Sequence, residues 1–126
     1  MLDEVNELMK KAEEKLRAAE YLLEGGYYSD AISRAYYAMY FAARALLALK
    51  KIYPKTHRGL IAKFGLEYVN KGIIDSYYAK ALAYGEEKRE VADYGILISF
   101  TREEAEDVIE DARNFLKKIE ELLTRL

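Results

Sequence analysis

Apolar residues recur at intervals of three and four along most of this chain, and the single proline and most of the seven glycines separate the stretches that show the pattern. This period places apolar side chains on one side of an α-helix, whereas a strand requires strict alternation. The first stretch runs from Leu2 to Leu23, and Gly25-Gly26 predicts its end. The pattern therefore predicts a chain built from helices.

The second stretch, from Ser29 to about Lys51, has unusually few charges. Arg44 is the only charged residue between Ala35 and Leu49. A helix with almost no polar face is predicted to lie at the centre of a bundle. Pro54 then enforces a turn, because its ring restricts both its own backbone and that of the preceding residue.

Capping residues predict three further helices. A short helix is expected from Thr56 to about Tyr68, and a longer one should begin after Asp75 and end between Val91 and Tyr94. The last helix opens with Thr101-Arg102-Glu103-Glu104, a capping box in which the first and fourth side chains satisfy each other's free amides.

Four long helices with short connections favour antiparallel neighbours. The predicted fold is therefore all-α, an antiparallel up-and-down four-helix bundle with an additional short helix, and residues 1–126 are predicted to form a single domain. The absence of cysteine excludes disulfides and Cys-ligated zinc. An acidic N-terminus without a leader pattern and without a long apolar run predicts a soluble cytoplasmic protein that does not enter a membrane.

His57 is the only histidine, which limits the chemistry available to a helical bundle. A di-iron centre needs paired Glu-x-x-His motifs on facing helices, and Ser-His-Asp hydrolysis needs a nucleophile motif that this sequence lacks. Axial ligation of haem by His57 is a weaker alternative than a structural role for this side chain. We therefore expect neither a metal nor a cofactor.

All charged residues between Arg44 and Lys63 are basic, and His57 and Arg58 lie among them. Such a patch can bind phosphates together with the free amides at the start of the third helix. Solvated cations at helix ends are the alternative. The formal net charge of −2 gives no argument for nucleic acid from the molecule as a whole, and nothing points to DNA.

The chain contains twelve tyrosines, several of them in the second helix. An aromatic ring with a polar tip suits a wet cavity, a base-stacking surface or a subunit interface. We expect Tyr36 to fill the core. Tyr37 and Tyr40 lie on a different side of the helix from Ile32 and Met39, which favours a site or an interface for them.

Arg89 and Asp93 lie four residues apart at the end of the fourth predicted helix, so they share a face beside Tyr94. A solvent-exposed ion pair at this spacing contributes only about 0.3–0.5 kcal/mol. The pair therefore indicates either an ordinary surface contact or part of a functional site.

Three segments and the amphipathic last helix occur in a characteristic order along the chain. The segments run from Tyr27 to Tyr40, from Thr56 to Leu60 and from Arg89 to Tyr94. Together with the last helix they resemble the HEPN (higher eukaryotes and prokaryotes nucleotide-binding) domain family. The Ser-Arg-Ala-Tyr-Tyr-Ala and Arg-x-x-x-Asp-Tyr stretches are the most specific parts. The resemblance implies an antiparallel helical bundle that pairs as a homodimer.

Many HEPN domains are metal-independent ribonucleases, often the toxin of a pair whose partner is a small nucleotidyltransferase, and an Arg-x(4–6)-His motif supplies their active site. Arg89 matches the arginine, but Asp93 and Tyr94 stand where the histidine is expected, as in a less characterised branch. The resemblance thus implies Arg89, Asp93 and Tyr94 as catalytic residues. The substrate-binding candidates are Arg34, Tyr37, His57 and Arg58.

Two hypotheses predict different mutant phenotypes. In an RNA- or nucleotide-binding module, Arg89→Ala abolishes binding with little loss of stability. In a non-catalytic homodimeric protein that docks a nucleotidyltransferase, Arg34 and Asp93 form a structural ion pair, and replacing either leaves a buried charge unpaired. A carrier of an apolar ligand with a tyrosine-lined interior is a third, weaker hypothesis.

Overall fold

The structure, a computed structural model, describes residues 2–125 and is all-α, as predicted. Met1 and Leu126, which belong to the predicted domain of residues 1–126, lie outside the described residues. No strand occurs within residues 2–125. The helices are α1 Leu2–Glu24, α2 Tyr28–Ala48, α3 His57–Phe64, α4 Ser76–Tyr94 and α5 Arg102–Thr124, and a π-helical turn, Gly65–Val69, continues α3.

The glycine pair ends α1 as predicted. Gly26 adopts a left-handed φ of +83°, which glycine tolerates without steric cost. The amides of Gly26 and Tyr27 donate to the carbonyls of Leu23 and Leu22, respectively, and so satisfy two orphan acceptors at the helix end.

The second helix ends at Ala48, three residues earlier than predicted. Lys51 takes a left-handed φ of 59°, and the amides of Lys51 and Ile52 donate to the carbonyls of Ala48 and Leu47. Helices that end in this way usually have glycine at the left-handed position. Here the residue is Lys51, so the sequence contains no glycine that would indicate the end of the helix.

The predicted N-caps are confirmed. Thr56 accepts from the amide of Gly59, Asp75 accepts from the amide of Tyr77, and Thr101 and Glu104 form the reciprocal capping box. The short third helix differs from the prediction, because its continuation to Val69 is π-helical. Gly65 weakens the α-helix there, and Tyr68, at the far end of the turn, is anchored by a hydrogen bond to the Leu46 carbonyl.

The predicted central position of α2 is also confirmed. This helix contacts α1, α4 and α5, and its residues from Ala42 to Ala48 are almost all buried. The antiparallel order of the bundle stays a prediction based on its short connections. None of the helices within residues 2–125 combines the length and apolar character needed to cross a membrane.

Candidate functional site

A cluster of polar side chains joins α2, α3 and α4 on one side of the bundle. It contains Tyr36 from α2, His57 at the first position of α3, and Glu86, Arg89 and Asp93 from successive turns of α4. The three α4 residues share a face because they are spaced by three and four positions. The fold thus brings His57 next to Tyr36 and Glu86, each of which is more than twenty residues away from it in the sequence.

Arg89 is the centre of the cluster and is only 5% exposed. Its Nε donates to Glu86 Oε1 at 2.7 Å, and its Nη1 donates to Asp93 Oδ2 at 3.1 Å. The hydrogen bond to Glu86 is the main reason that the pKa of Arg89 is raised, while burial acts in the opposite direction. The guanidinium therefore remains charged in its buried position.

Part of the Arg89 guanidinium has no hydrogen-bond partner among the described residues. A guanidinium has five N–H groups, and the contacts with Glu86 and Asp93 use one each. Among the described residues, no side-chain nitrogen or oxygen is both buried and without a partner. Since Nη2 of Arg89 has no hydrogen-bond partner there, it is not completely buried.

Two tyrosine rings of α2 lie against the guanidinium. The Cζ atom of Arg89 is 5.6 Å from the ring centroid of Tyr36 and 5.7 Å from that of Tyr37. These distances lie within the range of cation–π attraction. Burial raises the pKa of both phenols, so the hydroxyl of Tyr36, whose side chain is fully buried, stays protonated.

His57 is held through one ring nitrogen. Its Nδ1 lies 2.8 Å from the hydroxyl of Tyr36 and 3.9 Å from Oε2 of Glu86. Because Tyr36 is a neutral phenol, it donates to Nδ1 in one tautomer of the imidazole and accepts from Nδ1–H in the other. Nε2 has no hydrogen-bond partner among the described residues, and the side chain is 30% exposed.

An open groove of about 750 Å³ runs between α3 and α4 over this cluster. Its wall contains the imidazole, the guanidinium of Arg89, its carboxylate partner and apolar side chains of both helices. The lining residues are His57, Arg58, Ile61, Ala62, Ala83, Glu86, Glu87, Arg89, Glu90 and Val91.

The structure gathers most of the predicted site residues. Arg89, His57 and Arg58 line the groove, with Arg58 exposed, and Tyr37 contacts Arg89 from α2. Tyr94, on the last turn of α4, is 76% exposed.

Arg34 lies outside the groove and the polar cluster. It is exposed and, within the part of the chain that the structure describes, forms no side-chain hydrogen bond or ion pair. The partner of Asp93 is Arg89, so the structural pair expected between Arg34 and Asp93 is wrong. Asp93 pairs instead with the arginine four residues before it, because side chains at this spacing meet on a helix.

Sequence reasoning missed Glu86. Its position three residues before Arg89 is the signal that could have found it, because side chains at this spacing meet on a helix. Tyr36 was expected to fill the core and does so, but its hydroxyl also contacts His57. The contacts of His57 with Tyr36 and with Glu86 could not be predicted from the sequence, because each joins residues of two different helices.

Acidic and imidazole side chains do not form a metal centre in residues 2–125, where no group of three or more is placed to hold an ion. The positive charge in the cluster is that of the Arg89 guanidinium, which lies between the carboxylates of Glu86 and Asp93.

Known proteins similar to this chain include two of Methanocaldococcus jannaschii, each named "Putative toxin". One is 40% identical over 124 residues, which cover 98% of this chain and 92% of the relative. The other is 34% identical over 120 residues, or 95% and 82% of the two chains. A UPF0332 protein of Pyrococcus horikoshii is 51% identical over 82 residues, which cover 65% of this chain and 58% of that protein.

The family comparison covers nearly the whole bundle. A model of the HEPN domain matches residues 5–122, a range that includes all the helices that form the groove. This match, together with relatives at least 34% identical over most of both chains, shows that the protein belongs to the HEPN domain family.

Proposed function

We propose that this chain is the toxin of a toxin–antitoxin pair and that it binds and cleaves RNA in the groove between α3 and α4 without a metal ion. One observation carries the proposal: the only histidine of the sequence and a buried, charged arginine meet at one groove through the carboxylate of Glu86. The name carried by two relatives supports the toxin role.

The proposed reaction is a transesterification within the RNA chain. His57 Nε2 accepts the proton of a ribose 2′-hydroxyl, and the 2′-oxygen forms a bond to the adjacent phosphorus. The bond from phosphorus to the 5′-oxygen breaks, and this oxygen takes a proton from water in the open groove. The products are a 2′,3′-cyclic phosphate and a 5′-hydroxyl, so no oxidant or cofactor is needed.

The two central side chains supply different parts of the catalysis. An imidazole with one nitrogen held by the protein presents the other as a positioned base. Nη2 of Arg89 is available to stabilise the negative charge that develops on the phosphate oxygens. Glu86 acts as a positioning residue, because it contacts both the guanidinium and the imidazole side of the groove.

His57 takes the place of the histidine that the Arg-x(4–6)-His motif would provide. We assign the chain to the branch with Arg-x-x-x-Asp-Tyr, in which Asp93 holds the Arg89 guanidinium. Tyr94, exposed on the same turn, contacts the substrate beside it, and Arg58 binds a flanking phosphate.

The proposal includes the state in which the protein acts. The family resemblance implies an antiparallel bundle that forms a homodimer, and it implies a nucleotidyltransferase-type protein as the antitoxin. The sequence pattern predicts that the protein acts in the cytoplasm. These assignments need separate tests, namely sedimentation of the purified protein and co-purification with a nucleotidyltransferase-type protein.

The test of cleavage uses end-labelled single-stranded RNA in the presence of EDTA. Wild type is compared with His57→Asn, which retains a polar side chain but cannot act as the base, and with Asp107→Asn as a control on the exposed face of α5. We expect products ending in a 2′,3′-cyclic phosphate from the wild type and the control, and their loss in His57→Asn. Equal cleavage by wild type and His57→Asn would sink the proposed role of the histidine.

A non-catalytic homodimeric interaction protein that docks a nucleotidyltransferase is the second candidate function. The observation that favours it is the segment after α4, where Ile96 and Leu97 are 93% and 96% exposed and Ile98 is also exposed. Contiguous exposed aliphatic side chains are typical of protein interfaces. Absence of cleavage with the wild type in excess over RNA would favour this function.

A further inference from the structure

Cationic and aromatic side chains form a stripe along α2 outside the groove. Arg34, Tyr37, Phe41 and Arg44 follow at intervals of three, four and three residues, so they lie on one side of the helix, and Tyr40 lies beside them. We call these five residues the α2 stripe. Over ten residues it extends about 15 Å along the helix.

The rings of the α2 stripe form a continuous series that starts at the candidate active site. The His57 ring lies 4.8 Å from that of Tyr40, and the Tyr40 ring lies 5.2 Å from that of Phe41. Tyr37 contacts both aromatic neighbours, at 5.7 Å from Tyr40 and 6.3 Å from Phe41. All three side chains of α2 remain partly exposed.

Cations flank the outer end of this series. The Cζ atom of Arg44 lies 5.7 Å from the ring centroids of both Tyr40 and Phe41, and Nζ of Lys11 lies 5.3 Å from that of Phe41. Arg44 forms no ion pair with a carboxylate among residues 2–125. Its charge is therefore available to a ligand, as is that of Arg34 at the other end of the stripe.

Phe41 and Arg44 also line a second open groove, of about 420 Å³, between α1 and α2. Lys10 and Lys11 lie in its wall, but so do Glu4, Glu7 and Glu14. The carboxylates balance the cations, so the groove does not attract phosphates by net charge. Stacking on the rings is then the main interaction that this surface offers.

We propose that the α2 stripe binds the unpaired bases of single-stranded RNA next to the cleavage groove. Every base has a π-face that can stack on an aromatic side chain, whereas bases in a duplex are not accessible to such contacts. The series that begins at His57 places these contacts beside the reacting phosphate. This inference rests on the proposed ribonuclease function and adds the surface that binds the strand beside the cleavage groove.

The test measures binding of a fluorescein-labelled 12-nucleotide single-stranded RNA by anisotropy in EDTA, in the His57→Asn background so that the RNA stays intact. Phe41→Leu keeps an apolar side chain of similar size but removes the stacking ring. We expect it to weaken binding about tenfold, in keeping with the loss of one stacked base. Tyr21→Leu, at an 81% exposed position of α1, is the control and should bind as the parent does.

Arg44→Gln provides a second variant that does not depend on the packing of Phe41. Replacing one cation that contacts the strand should reduce the slope of log affinity against log salt concentration by about 0.7. Phe41→Leu should not change the weak binding of a 12-base-pair RNA duplex, because a duplex does not use the stripe.

The outcomes separate this inference from the proposed function. If wild type cleaves RNA and both stripe variants bind it like the parent, the inference is wrong and the ribonuclease function stands. If wild type neither binds nor cleaves, both are wrong. If Phe41→Leu converts a dimer into monomers in sedimentation while RNA binding per subunit is unchanged, the stripe is an interface between copies of the chain, which also overturns the inference.

Discussion

The carboxylate of Glu86 is held against the buried guanidinium of Arg89, with Nε donating to Oε1 at 2.7 Å. The second oxygen of the same carboxylate lies 3.9 Å from Nδ1 of His57. One side chain therefore connects the charged group of α4 with the imidazole that begins α3. Because Glu86 contacts both groups, a change in its position affects both the Arg89 guanidinium and the His57 imidazole.

Glu86→Gln tests this connection. A glutamine oxygen can still accept a hydrogen bond from the charged Arg89, but the attraction between the opposite charges of Glu86 and Arg89 is lost. We expect a loss of roughly 1 kcal/mol in unfolding free energy and a fall in cleavage kcat of about tenfold or more. Urea unfolding and steady-state cleavage kinetics between pH 5 and 9 measure the two effects.

A purely structural role for Glu86 would give a different result. If Glu86 only stabilises the fold, the fully folded Glu86→Gln protein should cleave with the kcat and pH profile of wild type. Asp107→Asn removes an exposed carboxylate from α5 and serves as the matched control, with no expected change in either measurement. Unchanged KM beside a lower kcat would identify positioning rather than substrate binding.

Arg89→Ala should be strongly destabilising, because it removes the cation that Glu86 and Asp93 share. Breaking a buried ion pair from one side costs about 3–5 kcal/mol, and we expect about 3, since Asp93 remains 29% exposed. The melting temperature should fall on the order of 10 °C. Thermal unfolding followed by circular dichroism measures the change.

Arg34→Ala is the matched control for that loss. Arg34 is exposed, so its replacement should change stability by no more than about 0.5 kcal/mol. Neither sequence-based hypothesis predicted this pair of results: the binding-module hypothesis expected little loss of stability in Arg89→Ala, and the docking-protein hypothesis expected an unpaired buried charge in Arg34→Ala. A larger loss for Arg34→Ala than for Arg89→Ala would contradict the burial and pairing in the structure.

The helices could be predicted because their signals are local. The capping box at Thr101 involves side chains within four residues, and the left-handed Gly26 marks its own helix end. Where a non-glycine residue takes the same conformation, as Lys51 does, the end of the helix was placed too late. The π-helical turn at Gly65–Val69 depends in part on a bond from Tyr68 to another helix, which no local pattern reveals.

The candidate site was predicted only in part, for the same reason. Arg89 and Asp93 were recognisable as neighbours because they share a helix face. The meeting of His57 with Tyr36 and Glu86 depends on how α2, α3 and α4 pack. The sequence alone could name His57 as a candidate but could not place it beside the arginine.

Stability at high pH should depend on Tyr68. Its hydroxyl donates to the Leu46 carbonyl at 2.6 Å, and burial raises its pKa to about 12, against about 10 for an exposed tyrosine. A raised pKa favours the neutral phenol in the folded state. The contribution is therefore complete below pH 10 and is lost as the pH rises through 12.

The comparison of wild type with Tyr68→Phe isolates this effect, since both proteins share the remaining tyrosines. The variant should be less stable at pH 9 by about 1 kcal/mol, because the hydrogen bond is missing. By pH 11.5 wild type should have lost about 2 kcal/mol more than the variant, because the Tyr68 phenol ionises more readily in the unfolded chain than in the fold, where its pKa is about 12. Urea unfolding at pH 9, 10.5 and 11.5 gives the values, and parallel curves for the two proteins would refute the prediction.

Gly85 is a point of close approach between α4 and α2 beside the site. A Cβ atom added there would lie 2.8 Å from Cε of Met39 and 3.3 Å from Cδ1 of Tyr36. The end of the methionine can swing away, but the Tyr36 ring is fully buried and its hydroxyl is 2.8 Å from His57. In Gly85→Ala the ring must move by a few tenths of an ångström, and its hydroxyl moves with it.

Stability and activity should therefore separate in Gly85→Ala. The gain in helix propensity, about 1 kcal/mol, offsets the cost of repacking, so the unfolding free energy should stay within about 1 kcal/mol of wild type. Cleavage should fall several-fold, because the displaced phenol no longer holds Nδ1 of His57. Gly65→Ala, whose Cβ would meet no atom within 4 Å, is the control and should leave cleavage unchanged. Wild-type cleavage by a well-folded Gly85→Ala protein would show that the position of Tyr36 does not govern the imidazole.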